Sequence, residues 1–258
     1  MRGLKGKRII VASGATGIGA ATARRLAEEG ARVLVGDVNE SGLTGTVERL
    51  RATGGVVEGK WFDLADERSI EALVSACVDR FGGVDGLVNV GAEMEMARKE
   101  LGHDLLDMNV ADWQRTLRVN LVGHALTIGA AIPHLVAAGG GAIVGVSSAA
   151  AQGGFADQPA YAASKAGLNA LARHVARRWG KDNIRCNYIA PGWILSEAAL
   201  RYLEQHMDQH DEAVAALPLT RLGRPEDTAA LIAFLLSDDG AWITGQVVAI
   251  NGGAAFRQ

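Results

Sequence analysis

The sequence predicts an α/β protein: one domain over residues 1–258, Rossmann-like, with a doubly wound parallel sheet of seven strands and helices on both faces. Three observations predict it. Short β-branched runs alternate with helix-periodic stretches along the whole chain. A glycine-rich turn at residues 13–19, S-G-A-T-G-I-G, joins the first strand run to the first helix run. The strand runs end in polar or glycine residues, namely Ser13, Asp37, Asp63, Asn89, Ser148 and Pro191-Gly192, which such a sheet gathers on one rim.

In chain order, residues 7–12 (K-R-I-I-V-A) read as a buried strand, and residues 20–29 as a helix closed by Gly30. Residues 31–37 form a second strand ending at Asp37. A helix over 41–53 runs into Gly54-Gly55, a third strand over 56–62 ends at Asp63, and a helix over 66–81 has Asp66 as its N-cap. A fourth strand covers 84–89. Residues 92–109, mixing Met, charge and Gly, are expected to be irregular. A long helix over 111–136 is interrupted only by Pro133; a fifth strand spans 141–147, a helix 159–180 and a sixth strand 184–190. Residues 196–217 are helix-like and break the alternation. Pro225 opens a helix over 225–237, and residues 246–250 close the sheet.

Composition bounds the function. With 48% hydrophobic and 21% charged residues in 258, the chain can bury a full core. A net charge of −3 gives no electrostatic case for nucleic acid or an anionic membrane. Cys77 and Cys186 lie in apolar periodic runs and read as buried thiols; no CxxC or Cys/His cluster suggests zinc. His206 and His210 are four apart but have no evident third partner, so no metal is expected. The opening M-R-G-L-K-G-K-R is followed only by a short apolar run and is not a signal peptide, and no apolar run approaches membrane-spanning length. A cytoplasmic protein is the expectation.

Residues 161–165 read Y-A-A-S-K. On a helix, Tyr161 and Lys165 share a face, and a phenol beside an ammonium is a proton-transfer pair. A fixed positive charge favours the phenolate and lowers the phenol's ordinary pKa of about 10. The same spacing also occurs in merely exposed pairs.

Together the motifs resemble the short-chain dehydrogenase/reductase family, over residues 7–253. The strongest piece is V-S-S ending at Ser148, followed by Tyr161 and Lys165 in Y-x-x-x-K. Asn120 in R-V-N-L matches a fourth catalytic position. N-x-I-A-P-G at 187–192, R-x-G-x-P-E-D at 221–227 and I-T-G-Q with a following G-G at 243–253 add to it. Three departures stand out. Ala12 and Ser13 occupy the usual Thr and first Gly of the glycine turn. The fourth strand ends N-V-G-A in place of N-N-A-G, so that Val90 replaces an amide that ties strands together. The stretch before Trp113 is several residues longer than in compact members.

The resemblance implies hydride transfer between a nicotinamide and a secondary alcohol or ketone. Tyr161 would exchange the hydroxyl proton, Lys165 lower its pKa and bond the nicotinamide ribose, Ser148 hold the substrate oxygen, and Asn120 open its helix locally and hold a relay water. The cofactor would meet Ser13, Thr16, Gly17, Ile18 and Gly19 at the helix N-terminus, Asp37 and Val38 at the ribose, Asp63 and Leu64 at the adenine, Asn89, Val90 and Gly91 beyond the fourth strand, Tyr161 and Lys165, and Pro191, Gly192, Ile194 and Ser196 at the carboxamide. A carboxylate at Asp37, with no Arg or Lys directly after it, favours NAD over NADP; Asp37 as a plain strand-end cap is the other reading. Met94, Met96, residues 149–155, Trp193 and residues 197–217 are candidate walls of an apolar substrate pocket, although such methionines equally serve a core. A 3-oxoacyl carrier-protein reductase using NADPH and a silent dinucleotide-binding sensor or scaffold are the rivals. The family suggests a homotetramer or dimer.

Overall fold

The computed structural model describes residues 1–153, 156–197, 199–200, 207–215 and 217–255. Strands β1 (Arg8–Ala12), β2 (Arg32–Asp37), β3 (Val56–Trp61), β4 (Gly86–Asn89), β5 (Gly141–Val146), β6 (Ile184–Pro191) and β7 (Val247–Ile250) form one sheet in the order β3-β2-β1-β4-β5-β6-β7. Every pairing is parallel. The chain moves outward from β1 to β3, then returns to lay β4 on the other side of β1. The crevice between the carboxyl ends of β1 and β4 is therefore the point where ligands bind in such sheets.

Helices cover both faces. One core packs around Ile10, Leu34, Leu73, Leu87, Ile143 and Leu168, under α3 (Glu67–Phe81), α6 (His124–Ala137) and α8 (Pro159–Trp179). The other packs around Val11, Leu26, Val33, Val88, Val144 and Leu235, under α1 (Gly17–Glu28), α2 (Glu40–Ala52) and α10 (Pro225–Leu236). The near-continuous apolar strands follow from this two-sided burial. Helix starts fall where the residues dictate: Asp66 accepts from Arg68 N at 3.0 Å as N-cap of α3, and Pro225 occupies the first turn of α10.

Two expectations about local structure are corrected. Residues 92–109 are not wholly irregular: Glu93 caps a short helix, α4 (Met94–Lys99), and Leu105–Asp107 is a 3-10 turn under Asp104. The long helix is not uniform either. It runs as α5 (Val110–Leu117), a wide π turn (Arg118–Gly123) and α6, while Pro133 sits inside α6 without ending it. By length and apolar character, Val110–Ala137 does reach membrane-spanning size, against expectation. Half of its most apolar stretch is buried in the fold, as in a core helix. Of residues 196–217, Met207–Ala215 is helical (α9). His206 lies outside the described residues, as does the side chain of His210. Among the described residues no group of three or more His, Cys, Asp or Glu gathers to hold a metal. Cys77 and Cys186 are free and buried, and burial pushes both thiols up to about 12.

Candidate active site

The π turn places Asn120 at the centre of the site. It is fully buried; its Oδ1 accepts from Glu93 N at 2.7 Å and its Nδ2 donates to Ser164 Oγ at 3.0 Å. Ser164 Oγ in turn donates to the Tyr161 carbonyl at 2.7 Å. One polar chain thus joins the wide turn to the first turns of α8. The expected local opening of this helix is present, and the Asn120 amide is occupied at both ends.

Tyr161 is half-buried near the start of α8, and Lys165 stands one turn on, 1% exposed. Lys165 Nζ lies 5.5 Å from the centre of the Tyr161 ring and donates to the Val146 carbonyl at 2.9 Å. Burial lowers its pKa to about 7. Burial also raises Tyr161 above the ordinary phenol value, while a bond with the Ser148 hydroxyl pulls the other way. The expectation that Lys165 depresses the phenol is therefore not met: desolvation dominates and favours the neutral form of both groups. Ser148 ends the β5 segment half-buried, its Oγ also accepting from Ala150 N at 3.1 Å at the start of the single-turn helix α7 (Ala150–Gly153). The four residues sit together beyond the carboxyl ends of β4 and β5.

Two supports were not foreseen. Ser147 donates to Asn169 Oδ1 at 2.7 Å and lies 3.1 Å from the Lys165 carbonyl, tying the end of β5 to α8. Glu100, 8% exposed, accepts from Tyr161 N at 3.4 Å. Helix α8 needs this partner. Its own N-cap, Gln158, has a left-handed backbone and no side-chain cap bond. The signal for Ser147 was visible in V-S-S; that for Glu100 was not, because it lies 61 residues from its partner.

On the cofactor side the first turn is tight. A Cβ at Gly19 would stand 1.9 Å from the Ser13 carbonyl, so only glycine lets α1 approach the turn this closely. Ser13 takes a left-handed backbone, φ 70°, and its N–H donates to the Gly36 carbonyl at 2.8 Å. Thr16 is the exposed N-cap of α1 without a side-chain cap bond, and the first turn holds no acidic residue. Gly17 follows at φ 53°, with Ile18 half-buried behind it; Ser196 approaches within 3.3 Å of a Cβ built on Gly17. Asp37 accepts from Ala15 N through Oδ2 and from Asn39 N through Oδ1, both at 2.9 Å, with Val38 exposed beside it. Asp63 accepts from Ala65 N at 2.8 Å, and Leu64 is buried against Gly91 and Gly123. Asn89 is fully buried, its Oδ1 unpaired. Val90 N donates to the Ala12 carbonyl at 3.0 Å. Beyond β6, Gly192 N donates to the Ile250 carbonyl and Ile194 bridges to Gly223.

The fit to a dinucleotide can be tested on these residues. The helix N-terminus offers N–H groups free of side-chain caps, a glycine of positive φ precedes them, and the first turn of α1 holds no acidic residue. That chemistry suits a pyrophosphate. The residues fit.

A family model described as enoyl-(acyl carrier protein) reductase matches residues 12–255. A probable short-chain type dehydrogenase/reductase from Bradyrhizobium diazoefficiens is 42% identical over 249 residues, covering 96% of this chain and 87% of the relative. The cis-4-hydroxycyclohexanecarboxylate dehydrogenase of Sinomonas cyclohexanicum is 39% identical, covering 96% of each chain. The crystal structure of gox2181 superposes with a TM-score of 0.87 at 29% identity, covering 97% of each chain. The fold and the family match thus define an oxidoreductase of the doubly wound, nicotinamide-binding class. The chain belongs to the short-chain dehydrogenase/reductase family.

Proposed function

We propose that this protein is an NAD-preferring oxidoreductase that interconverts a secondary alcohol and its ketone, with Tyr161 as the acid/base group. The observation that carries the reading is the convergence of Asn120, Ser148, Tyr161 and Lys165 on one rim through bonded neighbours. When bound, the nicotinamide supplies hydride transfer; everything else falls to the chain. Ser148 holds the substrate oxygen beside the phenol. Tyr161 takes the hydroxyl proton in oxidation and returns it in reduction. Lys165, held by the Val146 carbonyl beside the Tyr161 ring, would bond the nicotinamide ribose. Asn120 fixes the start of α8 through Ser164.

Asp37 supports NAD. Each carboxylate oxygen spends one lone pair on a backbone N–H and keeps another for a ribose hydroxyl, while its charge repels a 2′-phosphate. Ser13, Thr16, Gly17, Ile18 and Gly19 would cradle the pyrophosphate, Asp63 and Leu64 the adenine, and Pro191, Gly192, Ile194 and Ser196 the carboxamide. Exposed Met94 and Trp193 and half-buried Met96 favour an apolar substrate. The relative acting on a hydroxycyclohexane supports a cyclic one. Residues 154–155, 198, 201–206 and 216, within the ranges also named as walls, lie outside the described residues. A second reading is reduction of a carrier-bound 3-oxoacyl group, the activity in the name of a Thermotoga maritima relative 34% identical over 250 residues.

Two buried free thiols fit a reducing, cytoplasmic setting. The small residues Gly129 and Ala130 beside α3 leave a surface groove that suits pairing into a dimer or homotetramer. The deciding experiment is a screen of NAD- and NADP-linked oxidation over cyclic and aliphatic secondary alcohols, with a 3-oxoacyl thioester in the reverse direction. Turnover of the thioester with NADPH alone would overturn the proposal in favour of the second reading.

A further inference from the structure

The crevice between β1 and β4 carries a latch that the family motifs do not contain. Val90, just beyond β4, turns an apolar side chain into the core, and Gly91 after it is buried, so its carbonyl needs a partner within the protein. Two side-chain bonds that cross from residues 89–91 to the helix run meet at one residue. Asn89 Nδ2 donates to the His124 carbonyl at 3.4 Å, and His124 Nε2 lies 2.9 Å from the Gly91 carbonyl. A carbonyl only accepts, so Nε2 carries the hydrogen. His124 is fully buried, and burial beside the Lys165 charge lowers its pKa to about 3, so the ring is neutral and Nδ1 is an acceptor. The Tyr188 hydroxyl stands 3.4 Å from Nδ1 and completes the order Tyr188 O–H to His124, His124 N–H to Gly91. Tyr188 has room for this reach because its ring takes the place of a side chain at residue 145: a Cβ on Gly145 would stand 2.1 Å from it.

The opposite side of Gly91 is filled as well. A Cβ there would meet Ser13 Oγ and Leu64 Cδ1, each at 2.4 Å. The segment after β4 is thus held between the glycine turn and His124.

We propose that His124 is a positioning residue of the dinucleotide site. It fixes the Val90-Gly91 wall of the crevice in place of a side-chain amide at residue 90, and the Tyr188 hydroxyl supports it from Nδ1. The inference rests on the dinucleotide reading of this crevice. A wall held in its bound shape before the cofactor arrives spares the ordering cost of binding.

The test measures NADH dissociation constants and thermal midpoints for the wild type and for His124→Leu, His124→Gln and Tyr188→Phe, together with imidazole 15N shifts of the cofactor-free protein. His124→Leu is expected to weaken NADH binding about tenfold, equivalent to about 1.4 kcal/mol. His124→Gln, which keeps an N–H donor, should stay within about threefold of the wild type, the span of a partly retained bond. The 15N spectrum should show one neutral Nε2–H ring whose shifts do not move between pH 5 and 9, about two units above its titration. Tyr188→Phe should leave the fold intact, keep the Nε2–H tautomer that the Gly91 carbonyl requires, and weaken NADH binding by less than His124→Leu does. An Nδ1–H tautomer in the wild type, or His124→Leu binding NADH as the wild type does, would overturn the inference. If His124→Leu does not fold, the other two variants decide: Tyr188→Phe binding NADH as the wild type does, with His124→Gln weakened tenfold, would overturn it equally. A wild type that binds neither NADH nor NADPH removes the dinucleotide reading itself, and this inference with it.

Discussion

The Lys165 ammonium stands 5.5 Å from the centre of the Tyr161 ring while bonded to the Val146 carbonyl, and both groups are pushed toward neutrality by burial. Oxidation requires the phenolate and reduction the phenol. Because Tyr161 is raised above the ordinary value, kcat/KM for alcohol oxidation should still be climbing at pH 9, while that for ketone reduction should not rise. Tyr161→Phe should lower turnover by about 10²–10⁴-fold, the usual worth of general acid–base catalysis, with NADH binding nearly unchanged. Surviving turnover would remove Tyr161 from the role.

Burial of Lys165 has a consequence for folding. The unfolded chain keeps this proton up to about pH 10.5, whereas the folded chain sheds it near pH 7. Between those values the unfolded state binds more protons, so the Lys165 contribution to stability rises with pH; below pH 7 the cost of burying the charge is present in full. Urea denaturation at pH 7 and pH 9.5 should show the wild type gaining on Lys165→Met. A pH-independent gap between the two would refute the lowered pKa.

Asp37 makes cofactor choice testable against its structural role. Its bonds to Ala15 and Asn39 alone would make it a strand-end tie. If its charge also excludes a 2′-phosphate, the wild type binds NADH more tightly than NADPH, and Asp37→Asn narrows the ratio by about tenfold, one charge interaction near the surface. An unmoved ratio would leave Asp37 the tie alone.

Much of this was legible in the chain. Alternating runs, the turn at residues 13–19 and Asp66 or Pro225 at helix starts encode local geometry, and local geometry fixes a parallel sheet almost by itself. What was hidden depends on distance. Met94–Lys99 is under two turns long and shows no period; only Glu93 marked its start. Glu100 and Tyr161 meet across 61 residues, and His124 and Tyr188 across 64. The Tyr161 pKa was read in the wrong direction because the neighbouring charge is visible in sequence and the desolvation of both partners is not.

Glu100 is the most consequential of these long-range contacts for chemistry. Its buried carboxylate accepts from Tyr161 N where Gln158 gives no cap, and burial raises its pKa. Glu100→Ala should cost about 1 kcal/mol, as for other lost helix caps. It should also lower kcat more than it raises KM, because the displaced group is the start of the Tyr161 helix. Glu100→Gln retains an acceptor oxygen and should recover most of both. A wild-type thermal midpoint in Glu100→Ala would show that the contact does no capping.

Ser13 and Gly91 exchange the usual positions of bulk at the glycine turn. Ser13 holds a left-handed backbone that favours glycine, and its Oγ occupies the volume a Cβ on Gly91 would need. Gly91→Ala alone therefore overpacks this corner and should destabilise by about 1–3 kcal/mol. Ser13→Gly alone relieves the backbone but empties the space, so its net effect is small. In the double variant the new methyl enters the space vacated by the hydroxymethyl, and Leu64 needs to yield only the end of its side chain. The double variant should be more stable than Gly91→Ala by more than Ser13→Gly stabilises the wild type. That coupling, measured as a double-mutant cycle in urea, distinguishes a compensated pair from two independent substitutions. Strict additivity would show that the two residues share a corner without sharing its space.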